Sequence, residues 1–440
     1  MDKKVLKSSW ALAFTVASVW FGTHVGGGFA TGNQVIGYFA QYGQITSLIF
    51  PLLAMGLLAF VMSIYYKFAR LNQFDNYRDT FASLYPSPKM EILFEVFYII
   101  IILAAVAAAV AGAGEVLANF LHIPYDGITK IIFNLIVVVI LVVLSIFGVK
   151  LVAAASTVLS IAIMIISGLM IIFGLIYSGT VNDLLQQFGV DPAAYTSGSA
   201  VLANVVTEEG TKLPVMSSWP LNSMWRGILV YAAFQCVSIP PMIAASHEMS
   251  VKGTNRACIL GWLMNGLALG FSAFTLSKWY PLFAALKSKA AELKEAGQLD
   301  GSVFADYANA TGIPNQTMLN LMGIKWLLYI FSILLFCAFV STCVTLIYTM
   351  VQRFQGKLAG YDNIGNAVRG IKNQTLRSVI VAVVAIALCF SISLLGLTTI
   401  TTKVYGYMGY YSLLVVVLPA FIWGISKNRK LEAEHKEMLG

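Results

Sequence analysis

Apolar runs of about 20 residues recur along the whole chain, each long enough to cross a bilayer as a helix, with polar stretches between them. The pattern predicts ten spans: Ser9–Ala40, Thr46–Ala69, Met90–Phe120, Gly127–Phe147, Leu151–Tyr177, Ser223–Ser246, Ala257–Tyr280, Gly323–Gln352, Thr375–Leu395 and Val404–Ser426. Two of them carry interruptions. Span one contains FGTHVGGGFATGNQV, with glycine at 22, 26, 27, 28 and 32, and each glycine costs about 1 kcal/mol against alanine inside a helix. Span six contains YAAFQCVSIPPMIA, where Pro240 and Pro241 remove two backbone donors near mid-membrane.

Taken singly, either feature has a structural explanation, since glycines at GxxxG spacing (Gly22/Gly26, Gly28/Gly32) let helices pack closely and a proline pair only kinks. Together they open two five-helix halves at matching places. Five is odd, so the second half enters from the opposite side and the repeat is inverted, the architecture of secondary transporters. The expected fold class is therefore an all-α polytopic membrane protein, a 5+5 inverted repeat with discontinuous helices one and six. Its segments are a first repeat at 1–177, an external loop at 178–222, a second repeat at 223–426 with a lid-like loop at 281–322, and a cytoplasmic tail at 427–440. In the lid, ALKSKAAELKEAG reads as a short helix ended by Gly297 within a helical hairpin. The first apolar run is too long for a signal peptide and reads as a retained helix.

Composition agrees: of 440 residues 58% are hydrophobic and 11% charged, with a mean hydropathy of +0.79. Most of the 28 lysines and arginines fall on the side that carries both termini, which the positive-inside rule makes cytoplasmic, in a cell membrane. The net charge of +8 thus reports orientation in the lipid bilayer and gives no reason to expect a nucleic-acid partner. Cysteines 236, 258, 337, 343 and 389 lie inside apolar helices without metal or disulfide spacing.

The stretch GTHVGGGFATGNQVIGYFAQYG resembles the first helix of the YkvI-type membrane protein family, which is similar to LeuT-fold transporters of the amino acid, polyamine and organocation superfamily. That resemblance implies a sodium site in which carbonyls of Gly22 and Val25 meet Ala338, Ser341 and Thr342 of CAFVSTCV in span eight. Offsets of three and four place the last three on one helix face, and oxygen-only ligands suit a hard monovalent cation. Taken alone, such hydroxyls bond back to their own helix. The alternative is proton coupling, which related transporters run through a lysine in mid span five. Here Lys150 sits at the edge of that span and no other lysine follows in it.

For the solute, N–H groups of Gly26, Gly27 and Gly28 at the reopening helix attract an anionic group such as a carboxylate, with Thr23 and His24 beside them. Tyr231, Gln235 and Ser238 fall at i, i+4 and i+7 on span six, one polar face on an apolar helix. His24 departs from the small or aliphatic residue usual in the resembling stretch, and reads either as a neutral buried histidine or as a proton or solute contact. Glu95 and Glu115 of span three lie close to the two interfaces, where snorkelling or pairing is expected rather than a relay. The tyrosines 405, 407, 410 and 411 of span ten are candidates for an outer gate or an aromatic belt.

These residues favour a secondary transporter, a sodium-coupled symporter of a small organic solute such as an amino acid or related amine, with no cofactor beyond the coupling ion. A proton-coupled or uncoupled facilitator, a channel on the same fold and a membrane sensor are the alternatives. An enzyme is not expected, since no HExxH, Walker lysine or GxSxG motif occurs.

Overall fold

The computed structural model describes residues 8–24, 27–147, 149–189, 225–246, 248–354 and 373–434. Among them nine helices are long and apolar enough to cross a membrane, and they correspond to spans two to ten. Span one is not in that set; its described helical pieces are Trp10–His24, Gly27–Ala30 and Asn33–Tyr38, with residues 25 and 26 outside the described residues. The glycine-rich segment interrupts the helix at Thr31 and Gly32. At its far end Gly32 has φ of +82°, a left-handed conformation that costs glycine little, and the chain changes direction there before Asn33 restarts the helix. Thr31 steadies the turn: its hydroxyl donates to the Gly28 carbonyl at 3.0 Å and accepts from the Asn33 N–H at 3.2 Å.

The interruption in span six is milder than a gap. Residues 225–245 stay helical but change pitch, with a π turn at Trp225–Val230, an α turn at Tyr231–Phe234, a 3₁₀ turn at Gln235–Ser238 and an α-helix at Ile239–Ala245. Pro240 and Pro241 stand in the first turn of the last piece, where a missing N–H is least costly. The tightened turn lets the Ile239 N–H reach the Cys236 carbonyl. The Val237 carbonyl has proline both three and four residues ahead, so neither a 3₁₀ nor an α donor serves it.

Spans one, two, three and four pack against six, seven, eight and nine respectively, as two halves related by a pseudo-two-fold axis in the membrane plane would. Arg256 at the start of span seven donates to the Ser8 carbonyl, and Lys67 pairs with Glu432 at 2.8 Å. Both ends of the described chain thus lie on one face, the terminal face.

Span seven overruns its predicted end. It is one helix, Val251–Glu295, continuous through Pro281 and about 68 Å long at 1.5 Å per residue, against about 30 Å for a hydrocarbon core. The expected lid helix is therefore the tip of this span, and it stops at the left-handed Gly297 (φ +66°). The rest of the lid, a 3₁₀ turn at Val303–Tyr307 and a helix at Pro314–Leu321, folds back over the face opposite the termini. Span ten also runs past its predicted limits, from Leu397 to Glu434, so 427–434 continue a helix where a tail was expected. Most of the loop at 178–222 lies outside the described residues.

Candidate functional site

A cavity of about 340 Å³ lies where the broken span one meets spans three, six and eight. Gly22, Thr23, His24 and Gly28 line it from span one, and Gln235 and Ser238 line it from span six. Ala338, Ser341 and Thr342 line it from span eight. Residues read from three separate stretches of sequence as an ion site and a solute site thus share one wall. Val25 and Gly26 lie outside the described residues, and of Gly27 only the backbone is described.

Local geometry explains who faces the cavity. The 3₁₀ turn has three residues per turn, so Gln235 and Ser238 stack on the same side. Tyr231 is instead drawn away from the cavity to span one, where its hydroxyl lies 2.9 Å from Nε2 of His24. On span eight the polar stripe runs one turn further than predicted, since Thr345 also lines the cavity and its hydroxyl donates to the Ser341 carbonyl at 2.9 Å. Thr23 spends its hydroxyl on the Trp20 carbonyl at 2.8 Å.

His24 is buried, 3% exposed, and held on both ring nitrogens. Its Nδ1 is 2.7 Å from Oδ1 of Asn265 in span seven. The amide nitrogen of Asn265 donates to the Gly261 carbonyl at 2.8 Å, which fixes the amide with its oxygen toward the imidazole. Nδ1 must therefore carry the hydrogen and Nε2 must accept from Tyr231. A neutral imidazole satisfies all three groups. The histidine ties the broken helix to spans six and seven at once, and the lone Asn265 in the apolar run GWLMNGLALG was the sequence signal for it.

Gln34 was missed altogether. It is 4% exposed, lines the cavity and lies flat on Gly28, where an added Cβ would stand 2.2 Å from its Nε2 and 2.5 Å from Cδ. The amide of Gln34 thus fills the space that a side chain at position 28 would need, while Gly28 itself still lines the cavity. The chain reversal at Gly32 is what brings Gln34 back over the break.

Side-chain contacts flank the cavity toward each face, while Gly22, Thr23 and Thr345 of its lining remain solvent-exposed. On the lid face, Asn33 donates to the carbonyls of Thr311 at 2.9 Å and Gly312 at 3.1 Å. Asn315 donates from its side chain to Ala30 at 2.8 Å and from its backbone to Thr31 at 3.1 Å. Arg226, above the Tyr38 ring at 5.3 Å, donates to the Thr402 carbonyl at 2.9 Å and so joins spans one, six and ten. Of the span-ten tyrosines only Tyr405 lines the cavity, while Tyr407 is exposed, Tyr410 stacks on Trp225 and Tyr411 donates to the Leu93 carbonyl at 3.1 Å. On the terminal face Tyr98 lines the cavity and lies 5.5 Å from the guanidinium of Arg353, which pairs with Glu95.

No protein-family model matches the chain, the YkvI-type family included, and no curated protein sequence matches it. Among solved structures, the Eremococcus coleocola manganese transporter in complex with an aromatic bis-isothiourea substituted compound aligns over 96% of this chain and 95% of its own at 14% identity, with a TM-score of 0.33. MhsT in complex with L-phenylalanine aligns over 98% of this chain and 96% of its own at 14% identity, with a TM-score of 0.51. Across nearly its whole length the chain has the fold of MhsT, a LeuT-type fold.

Proposed function

We propose that the protein is a secondary transporter that carries a small organic solute by alternating access, rocking one helix bundle against another about the central cavity. The observation that carries this reading is that residues beside the interruptions of spans one and six and the polar stripe of span eight line one cavity. In the same reading the terminal face is cytoplasmic and the bilayer is the cell membrane.

Sodium is the proposed coupling ion. Gly22 of span one and Ala338, Ser341 and Thr342 of span eight all line the cavity and would supply the oxygens, with Val25 the expected fifth ligand. An amino acid is the proposed solute class: MhsT, whose fold the chain shares, holds L-phenylalanine. The decisive experiment is the thermal stability of detergent-purified protein titrated with sodium against choline at fixed ionic strength. A ligand of the folded state stabilises by RT ln(1 + [L]/Kd), about 2.7 kcal/mol at a hundredfold excess over Kd. Sodium is expected to stabilise the wild type selectively and to lose that effect in Ser341→Ala/Thr342→Ala.

A second reading, proton coupling, is favoured by one observation: His24 joins three spans from within the cavity wall. If sodium acts no differently from choline, coupling passes to His24. Uptake into proteoliposomes driven by a pH gradient, lost in His24→Gln, would then be expected.

A further inference from the structure

We propose that Gln34 holds the polar head of the solute, its amide receiving a carboxylate in place of the bare N–H groups of the glycine-rich break. The inference rests on the reading of this cavity as an amino-acid site and names the residue that selects for it.

Gln34 is almost fully buried and makes no hydrogen bond to any described residue, though an unsatisfied buried amide is costly. It lines the cavity beside Gly28, within reach of a solute bound there. From span six, Ser238 presents a second such group: it is 1% exposed and its hydroxyl has no partner. The adjacent Val237, also in the wall, offers the carbonyl that Pro240 and Pro241 leave without an N–H. The side chains of Gln34 and Ser238 and the residue Val237 thus belong to the lining of one cavity.

Among the described residues no aspartate, glutamate, lysine or arginine lines the cavity. A solute with a net charge would find no side-chain counter-charge among them, which is unfavourable where the charge is drawn out of water. A zwitterion carries its own. Its carboxylate would accept from Nε2 of Gln34 and from the Ser238 hydroxyl, and its ammonium would donate to the Val237 carbonyl. Spans three and five add an apolar lining of Ile101, Ile102, Ala105, Ala108, Ile163 and Met164. Small alanines beside larger aliphatics leave room there for a bulky apolar side chain. The class assigned is an amino acid with a large apolar side chain, oriented by Gln34.

The test is calorimetric binding of L-phenylalanine and of phenethylamine, which lacks the carboxylate, to the full-length protein and to Gln34→Ala and Gln34→Glu. The quantity read is the ratio of the two affinities within each protein, which does not depend on the fraction folded. The wild type is expected to prefer L-phenylalanine. In Gln34→Ala that preference should fall about tenfold or more, the loss typical of one charge-assisted hydrogen bond. In Gln34→Glu, where a carboxylate meets a carboxylate, it should invert. A ratio within about twofold of wild type in both variants would make Gln34 a space-filling residue and overturn the assignment. Tighter L-phenylalanine binding in Gln34→Ala would overturn it too, showing that the break itself takes the carboxylate. If the wild type binds neither compound, the amino-acid reading fails first, and the role of Gln34 falls with it.

Discussion

Glu95 and Glu115 stand on the same helix about 30 Å apart along its axis, and the protein treats them in opposite ways. Neither snorkels, since they are 3% and 1% exposed. Glu95 is met by charge: Arg353 donates from Nε at 2.6 Å and pairs again through Nη2, and Arg78 adds a contact at 3.4 Å. Tyr77 donates at 3.2 Å, and the Arg353 guanidinium lies over the rings of Tyr77 and Tyr98. Glu115 is met by an amide, Asn309 of the lid at 2.6 Å, with Gly312 so close that a Cβ there would stand 2.1 Å from its Oε1. An ion cluster ties the elements at one end of span three, and amide hydrogen bonds tie them at the other. Separating buried charges is costly, whereas water can replace an amide partner at a surface loop. On the proposed alternating-access reading, the lid face is therefore expected to open at lower cost.

The sharpest way to break this contrast is to make the same substitution at both positions. Glu95→Gln strands Arg353 in a buried site and should cost about 3–5 kcal/mol, read by chemical unfolding in detergent. A loss under about 1 kcal/mol would mean that Arg353 finds another partner and that the terminal closure is not built on charge. Next in size come Asn33→Ala and Asn315→Ala, each leaving buried carbonyls unserved at a cost of about 1–3 kcal/mol. Their effect should appear as faster hydrogen exchange at 303–321 with no change around 91–98, and a uniform change across both regions would contradict separate closures. Glu115→Gln should be the mildest, within about 1 kcal/mol, because the new amide oxygen still accepts from Asn309. A penalty as large as that of Glu95→Gln would show that Glu115 acts as a paired charge and would erase the distinction.

Much of the architecture was readable from periodicity and breakers. Nine predicted spans appear as helices among the described residues, and span one is interrupted at Thr31 and Gly32 within its glycine-rich stretch. Boundaries were less legible. Pro281 reads as a stop, yet the helix passes through it and carries the lid outward, because a proline costs a helix one donor and one clash that packing can offset. The double proline of span six reads as a gap but yields a change of pitch, since the 3₁₀ turn reassigns the Cys236 carbonyl to Ile239. In the site, offset counting picked out Ala338, Ser341 and Thr342 and stopped one turn short of Thr345.

What the sequence determined by itself follows from short-range physics: helix lengths set by bilayer thickness, breaks set by glycine and proline, and polar faces set by the helical period. What only the tertiary structure decided are the meetings of residues far apart in the chain. Gln34 reaches Gly28 only after the left-handed turn at Gly32, and His24 finds Asn265 across 241 positions. The two glutamates of span three look alike in the sequence. Their surroundings come from span eight and from the lid, so no local pattern in span three could tell which of them would meet a guanidinium.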